Sequence, residues 1–452
     1  MLYRKIRSYI DDHFRSNEDK ILLIEGARQI GKSYIIRDVG TELYDNYVEI
    51  NFVEDDAGDK IFRNVRTTEE FYLNLSMVAG FKLDKYENTL VFIDEIQHYP
   101  QFLTMLKFLR QEHRYRFICS GSLLGIALKK TVSVPVGSII PKKMYQLDFE
   151  EFLIANDFGE DAIAHLRKSF EQKQPLAPEV HDKVLSLFKR YLLVGGMPDA
   201  VNEYLNSHNI VKVREAQESI RELYGVDASR YEEDAAKKLY IRRIYDMIPS
   251  QMENKKKRIV AKDILDRKGD RFSNYMEEFE YLINSGITIP SHAISNPKYP
   301  LAESQQKNLL KLYMNDVGML TSQLYHYNIQ PILNDIASIN LGSVYESAVA
   351  QELKAHYEKL FYYDNKQKGE VDFLVDDSGT MSVLPIEVKS GKDYTVHSAL
   401  DNLMAIQDYH IVSSIVLSNE REIKTKGNIL YLPIYHVMFL ENKVPEKENL
   451  YF

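Results

Sequence analysis

The stretch ILLIEGARQIGKSYIIRDVG, residues 21–40, constrains this chain more than any other. It gives a short apolar run, a glycine-bounded loop and an amphipathic run, which is the pattern of strand, turn and helix. The loop from Gly26 to Ser33 satisfies G-x-x-x-x-G-K-[ST] and opens a helix, where backbone N–H groups and the helix dipole together favour a phosphate. The expected nucleotide cradle is Gly26, Ala27, Arg28, Gln29, Ile30, Gly31, Lys32, Ser33 and Tyr34. Gly26 and Gly31 let N–H groups turn toward the phosphates. Lys32 would reach the β- and γ-phosphates, and Ser33 would ligate Mg²⁺. The bland alternative is a glycine turn before an ordinary helix.

A second signal follows in TLVFIDEIQ, residues 89–97. A continuous apolar run suits a central parallel strand buried on both faces. The pair Asp94–Glu95 then falls at its C-terminal end, where open α/β sheets bind ligands. Asp94 would complete the Mg²⁺ shell and Glu95 would activate the attacking water. YRFICSGS reads as another strand, and Ser120 or Ser122 at its end is either a γ-phosphate sensor or simply a polar strand end. Together these features predict an α/β, parallel-sheet P-loop domain that binds and hydrolyses ATP. The Asp-Glu form of the second motif points to its AAA-type and related branches.

GARQIGKS, VFIDEIQ, CSGSLLG, MYQLDFEEFL and VGGMPDAV resemble, in order, the motifs of a prokaryotic AAA-type ATPase family. Members of that family carry a C-terminal domain of formerly unknown function that resembles PD-(D/E)xK nucleases. The resemblance spans nearly the whole chain. It implies an ATPase domain over 1–155, a helical lid over 156–235, a winged-helix-like domain over 236–335 and a restriction-endonuclease-like α/β domain over 336–447. It also places Pro198, in Gly195-Gly196-Met197-Pro198, near the adenine, whereas the residues alone read as a helix break.

Other segments fit this division. Leu2, Ile6, Tyr9, Ile10, His13 and Phe14 recur at helical spacing, so an amphipathic helix opens the chain. LYIRRIYDMIPSQM and NYMEEFEYLINSGI are amphipathic and precede a Pro-punctuated, hairpin-like tail, an order that suits a winged helix. The run Lys255-Lys256-Lys257-Arg258 is either a phosphate contact or a solvated loop.

The stretch GEVDFLVDDSGTMSVLPIEVKSG, residues 369–391, sets charges inside apolar runs. Burying ionised groups costs several kcal/mol apiece unless they are paired or metal-bound. Alternation puts Val371, Phe373 and Val375 on one face and Asp372 on the other, while Glu387 and Lys389 share a face. A turn at Asp377-Ser378-Gly379 would bring Asp372 near Glu387 across a hairpin. Glu346 could approach from the preceding helix. Three carboxylates, Glu346, Asp372 and Glu387, with Lys389 beside them, suit a Mg²⁺-dependent phosphodiesterase in which the lysine stabilises developing charge. The order Glu, Asp, Glu-x-Lys resembles PD-(D/E)xK nucleases, although Val371 stands where a proline usually precedes the aspartate. A surface hairpin with charges at its rim is the alternative.

The leading expectation is therefore an ATPase coupled to a Mg²⁺-dependent nuclease acting on DNA. The alternatives are an ATPase whose C-terminal domain binds nucleic acid or protein without cutting, and a nucleotide-controlled switch signalling through protein contacts. A homo-oligomer or partner protein is open, since Arg110, Arg114 and Arg116 are arginine-finger candidates by position only. The 452 residues carry a formal charge of −9, which argues against an extensively basic surface. The single cysteine, Cys119, excludes an internal disulfide and fits the reducing cytoplasm. No apolar run approaches membrane-span length and the N-terminus is too charged for a signal peptide. ENLYF, residues 448–452, reads as a tag remnant.

Overall fold

The computed structural model describes residues 2–16, 18–122, 137–231, 234–254, 257–265, 269, 271–305, 309–334, 341–391 and 393–442. Its contacts divide it into two units: 1–146 with 284–287, and 147–283 with 288–452. The 448–452 segment lies outside the described residues, as do Lys255 and Lys256.

The first unit is built on five parallel strands, β1 (Ile21–Glu25), β2 (Asn46–Asn51), β3 (Thr89–Asp94), β4 (Arg116–Gly121) and β5 (Ile139–Lys143), in the order β2-β3-β4-β1-β5. Every residue of β3 is buried, as a continuous apolar run requires. Leu23, Val91 and Ile93 pack with Phe52, Phe62, Phe71 and Phe102 in one apolar core. The opening helix, Lys5–Arg15, buries Ile6, Ile10, His13 and Phe14, whereas Tyr9 is exposed. All five strands end on one edge, and the loops after β1 and β3 meet there.

The second unit begins with helices: Phe149–Ala155, Glu160–Gln172, Pro178–Val194, Pro198–Ser207, Ile210–Tyr231 and Ala235–Glu253. By its contacts the helix Phe149–Ala155 falls in this unit. The glycines at 195 and 196 form a packing joint. A Cβ at Gly196 would lie 1.9 Å from the Leu147 carbonyl oxygen, and Gly195 has φ +72°. The Gly196 N–H donates to Asp316 Oδ2 at 2.6 Å, so buried Asp316 ties this joint to the N-terminus of the helix Val317–Tyr325. Pro198 occupies the first turn of the next helix, where its missing N–H costs nothing.

An eight-stranded mixed sheet follows, with strands β6 (Thr288–Ile294), β7 (Leu310–Met314), β8 (Leu360–Asn365), β9 (Gly369–Asp377), β10 (Ser382–Lys389), β11 (Ser414–Ser418), β12 (Lys424–Lys426) and β13 (Ile429–Pro433). Its order is β12-β13-β11-β10-β9-β8-β6-β7. The hairpin β6–β7, expected as the tail of a winged helix, pairs through β6 in parallel with β8. One sheet thus runs across the boundary drawn at 335/336. The expected helix, three strands, helix and strand appear as Gly342–His356, β8, β9, β10, Ser398–Met404 and β11. The pair β12–β13 extends that order.

Candidate functional sites

In the first unit the loop after β1 turns sharply into the helix Lys32–Leu43. Gly31, at φ 90° and ψ 20°, caps it in the left-handed region that glycine adopts without strain. Lys32 Nζ folds back onto the loop and donates to the carbonyls of Gly26 (3.0 Å) and Ala27 (2.7 Å). Ser33 Oγ donates to Asp94 Oδ2 at 2.8 Å across the gap between the two motifs. A cleft of about 400 Å³ lies over these groups, lined by Arg28, Gln29, Gly31, Lys32, Ser33, Tyr34, Asp94 and Glu95 together with Asn51 at the β2 end and Val53 and Glu54 of the short helix Phe52–Ala57. Ala27 and Ile30 are buried behind the loop.

Asp94 is the hub. Ser120 Oγ donates to its Oδ1, the Glu95 N–H donates to the same oxygen at 3.0 Å, and Asn51 Nδ2 reaches Oδ2 at 3.4 Å. Burial pushes the Asp94 carboxyl up; Glu95 adds to this, while Ser120, Ser33 and Lys32 oppose it. Ser120 is fully buried and spends its hydroxyl on Asp94, so it orients the carboxylate. Glu95 stands in the left-handed region at φ 52°, uncommon for a residue with a Cβ. Gln97 Nε2 donates to Glu95 Oε2, and Ser122 Oγ donates to the same oxygen at 3.2 Å. Arg28 lies 4.0 Å from it. Asn51 and Gln97 were not singled out by pattern; their only trace in the sequence is a polar residue at a strand end and after the Asp-Glu pair. The hydroxyl and carboxylate oxygens of Ser33 and Asp94 form a hard donor set that fits Mg²⁺.

The arginine candidates all have partners within this unit. Arg110 pairs with Asp19 at 2.7 Å, Arg114 lies 3.5 Å from Glu112, and Arg116 donates to the Phe14 carbonyl at 2.9 Å. Pro198 stands in the second unit.

The second constellation lies on β9 and β10. The antiparallel register pairs Phe373 with Ile386, so the next step sets Asp372 opposite Glu387. Asp372 Oδ2 accepts the Val388 N–H at 2.8 Å, and Lys389 Nζ donates to Glu387 Oε1 at 2.8 Å. Burial and the neighbouring Asp372 push the Glu387 carboxyl up to about 8 against the pull of Lys389. Asp372 is raised by burial and by Glu346.

Glu346, on the helix Gly342–His356, is differently engaged. It accepts from Lys311 Nζ at 3.0 Å and Tyr313 Oη at 2.6 Å, both on β7, and from Lys257 Nζ. Burial favours its neutral form, but Lys311 and Lys257 outweigh this and hold the carboxyl down to about 2. Lys311 also pairs with Glu370 at 2.7 Å. Lys257 and Arg258 are accordingly neither a solvated loop nor a free phosphate contact. Arg258 pairs with Asp364 at 2.7 Å.

A divalent cation fits Asp372 and Glu387 in their hard oxygens and in Glu387 Oε2, which is buried without a hydrogen-bond partner. Glu346 does not match that role as it stands, because both its oxygens are taken by cationic or hydroxyl donors. Among the described residues no group of three or more His, Cys, Asp or Glu stands together as a metal cluster. Lys257, Lys311, Tyr313 and Glu370 were not picked out by the short motif, since they converge only through the added hairpin and the turn before it.

The fold and site of the first unit define an AAA-type P-loop ATPase domain. Residues 18–153 match the family model described as AAA domain. Residues 185–327 and 341–437 match two families each described as a domain of unknown function, DUF8612 and DUF4143. No curated protein matches the chain. Among solved structures, a Walker-type ATPase of Pyrococcus abyssi is 14% identical over 72% of this chain and 96% of its own, with a TM-score of 0.43. The ORC1 protein of Aeropyrum pernix in complex with DNA is 11% identical over 75% of this chain and 93% of its own, at 0.34. The RuvB Holliday junction branch migration motor of Thermotoga maritima is 14% identical over 64% and 89%, at 0.30. Among the described residues no helix is long and apolar enough to cross a membrane.

Proposed function

We propose that the chain binds and hydrolyses ATP in its first unit and uses the Asp372–Glu387–Lys389 group of its second as a Mg²⁺-dependent phosphodiester site acting on DNA. The ATPase half is carried by one observation: the Ser33 hydroxyl and Asp94 carboxylate meet at 2.8 Å beside a glycine-bounded loop whose lysine is already folded over it. Nucleotide phosphates would draw Lys32 from the Gly26 and Ala27 carbonyls. The loop N–H groups and Lys32 would then spread the charge of the transferring group. Mg²⁺ held by Ser33 and Asp94 would supply further charge neutralisation at the phosphates. Glu95, once released by Gln97 and Ser122, orients the attacking water and takes its proton.

The nuclease half rests on Asp372 facing Glu387 across β9 and β10 with Glu387 Oε2 unsatisfied. Lys389 stands on the same strand face as Glu387, where it can stabilise charge on the phosphorane. The reading that the second unit binds nucleic acid or protein without cutting is favoured by a separate observation, the full engagement of Glu346 by Lys257, Lys311 and Tyr313.

The test is to incubate the protein with plasmid and single-stranded DNA, with Mg²⁺ or Mn²⁺, with and without ATP. Metal-dependent cutting lost in Asp372→Ala and Lys389→Ala, with ATP turnover kept, is the expected result. Lys32→Ala should abolish turnover while leaving the fold intact. An absence of cutting under every condition would leave the binding reading in place of the nuclease.

A further inference from the structure

The charges around Glu346 exceed what the four-residue motif requires. Four carboxylates, Glu346, Glu370, Asp372 and Glu387, meet three ammonium groups, Lys257, Lys311 and Lys389. With all four carboxylates ionised, as metal binding requires, this leaves one negative charge in a largely buried cluster, a costly state that a bound cation would relieve.

The lysines on Glu346 differ in how they are held. Lys311 is fully buried on β7, bridges Glu346 and Glu370, and lies 4.6 Å from the Tyr362 ring centroid. It is fixed by the sheet. Lys257 lies beyond the end of the helix Ala235–Glu253, its N–H donating to the Asn254 carbonyl at 3.1 Å. Its backbone is left-handed at φ 44°, and its side chain keeps 19% of its surface in solvent. Its amine therefore reaches Glu346 from the solvent side on a long, single tether, and it also attracts Asp372. With all four carboxylates ionised, exchanging this one charge for a divalent ion brings the formal sum of the cluster from −1 to zero. Lys311, with no exposed surface and a second partner in Glu370, has no such way out.

We propose that Lys257 is a tethered counter-cation of the Asp372–Glu387 site, neutralising Glu346 when no metal is held and leaving it when a divalent cation binds. This rests on reading Asp372 and Glu387 as metal-binding. It makes Glu346 a conditional member of the site, available only after Lys257 departs. The hold of Glu346 on Lys257 thereby sets how readily the site loads.

The nucleotide-free full chain is titrated with Mn²⁺, free ion being read by electron paramagnetic resonance, for the wild type, Lys257→Gln, Lys257→Arg and Asp372→Ala. Only the portion of binding lost in Asp372→Ala is counted. Lys257→Gln should bind that ion tighter by about tenfold or more, while Lys257→Arg, which keeps the charge, stays near wild type. In the wild type itself, acetylation of Lys257 by acetic anhydride, read by peptide mass spectrometry, should rise with Mn²⁺ and not rise in Asp372→Ala. This second measurement needs no Lys257 substitution and so stands if Lys257→Gln folds poorly. Unchanged or weaker binding in Lys257→Gln, or Lys257 labelling indifferent to Mn²⁺, overturns the counter-cation while Asp372-dependent binding still upholds the metal site. No Asp372-dependent binding in any variant overturns both.

Discussion

Glu95 shows how much the reacting geometry depends on single side chains. It sits one residue past a fully buried strand, in a backbone region that costs a residue with a Cβ of order 1 kcal/mol, and its carboxylate is held by Gln97 and Ser122. Glu95→Gln preserves size and hydrogen bonding but removes the base. It should leave nucleotide binding nearly unchanged and cut phosphate release by about 10²- to 10⁴-fold. Fluorescent-nucleotide titration beside a phosphate-release assay checks both, and near-normal turnover would remove Glu95 from the reaction. At this scale the phosphate loop and the Asp-Glu pair were legible because phosphate chemistry demands given residue types at short, fixed spacing. Asn51, Gln97 and the bond from Ser120 to Asp94 were not legible. Asn51 and Ser120 reach Asp94 from the ends of β2 and β4, and no local spacing records which strands are neighbours; Gln97 reaches Glu95 through the turn just after β3.

At the scale of elements, hydrophobic alternation was enough to bring Asp372 within a couple of residues of Glu387 on one hairpin, though not to fix the register, because the ladder continues to Asp377–Ser382 and the turn follows at 378–381. It was not enough to find β6 and β7 in the same sheet. The parallel pairing of β6 with β8 joins segments far apart in sequence, and a Pro-punctuated hairpin reads alike whether it stands alone or joins a sheet edge. That join brings Lys311 and Tyr313 to Glu346, so the hairpin is part of the candidate site's charge balance. Lys311→Met would leave Glu346 and Glu370 short of a buried partner, and breaking such a pair costs about 3–5 kcal/mol. Chemical denaturation should show a loss of this size, with Lys311→Met/Glu346→Gln recovering part of it. A loss under about 1 kcal/mol would mean the charges are solvated and the pairing matters little.

Across the whole molecule, the acidic composition says less about stability against acid than three groups of the second unit, His436 and Asp316, which are buried, and His292, which is half-buried. His436 is surrounded by Phe170, Tyr435 and Phe439, has neither ring nitrogen hydrogen-bonded, and is pushed by burial down to about 3. Burial also lowers His292 to about 4, with Lys359 adding to the shift. Both histidines fold neutral and charge more easily when unfolded. Their contribution is complete above the ordinary value of 6.5 and is lost as pH falls below it, at about 1.4 kcal/mol per pH unit each. Asp316 runs the other way. Burial raises it to about 6 against the pull of the Gly196 and Met319 N–H groups, so acidification below 6 favours the folded form until the ordinary 3.8 is reached. These two losses against one gain come to about 3 kcal/mol between pH 6.5 and 4.5, of which the proton uptake of Glu387, raised to about 8, returns about 2 kcal/mol. His436→Phe removes one of the losses and should flatten the slope, sparing about 2 kcal/mol of the decline from pH 6.5 to 5. Denaturant melts of the two proteins at matched pH values decide this, since only the change with pH, and not the absolute stability, carries the histidine's charge. Parallel slopes would show that His436 finds water or a partner when protonated.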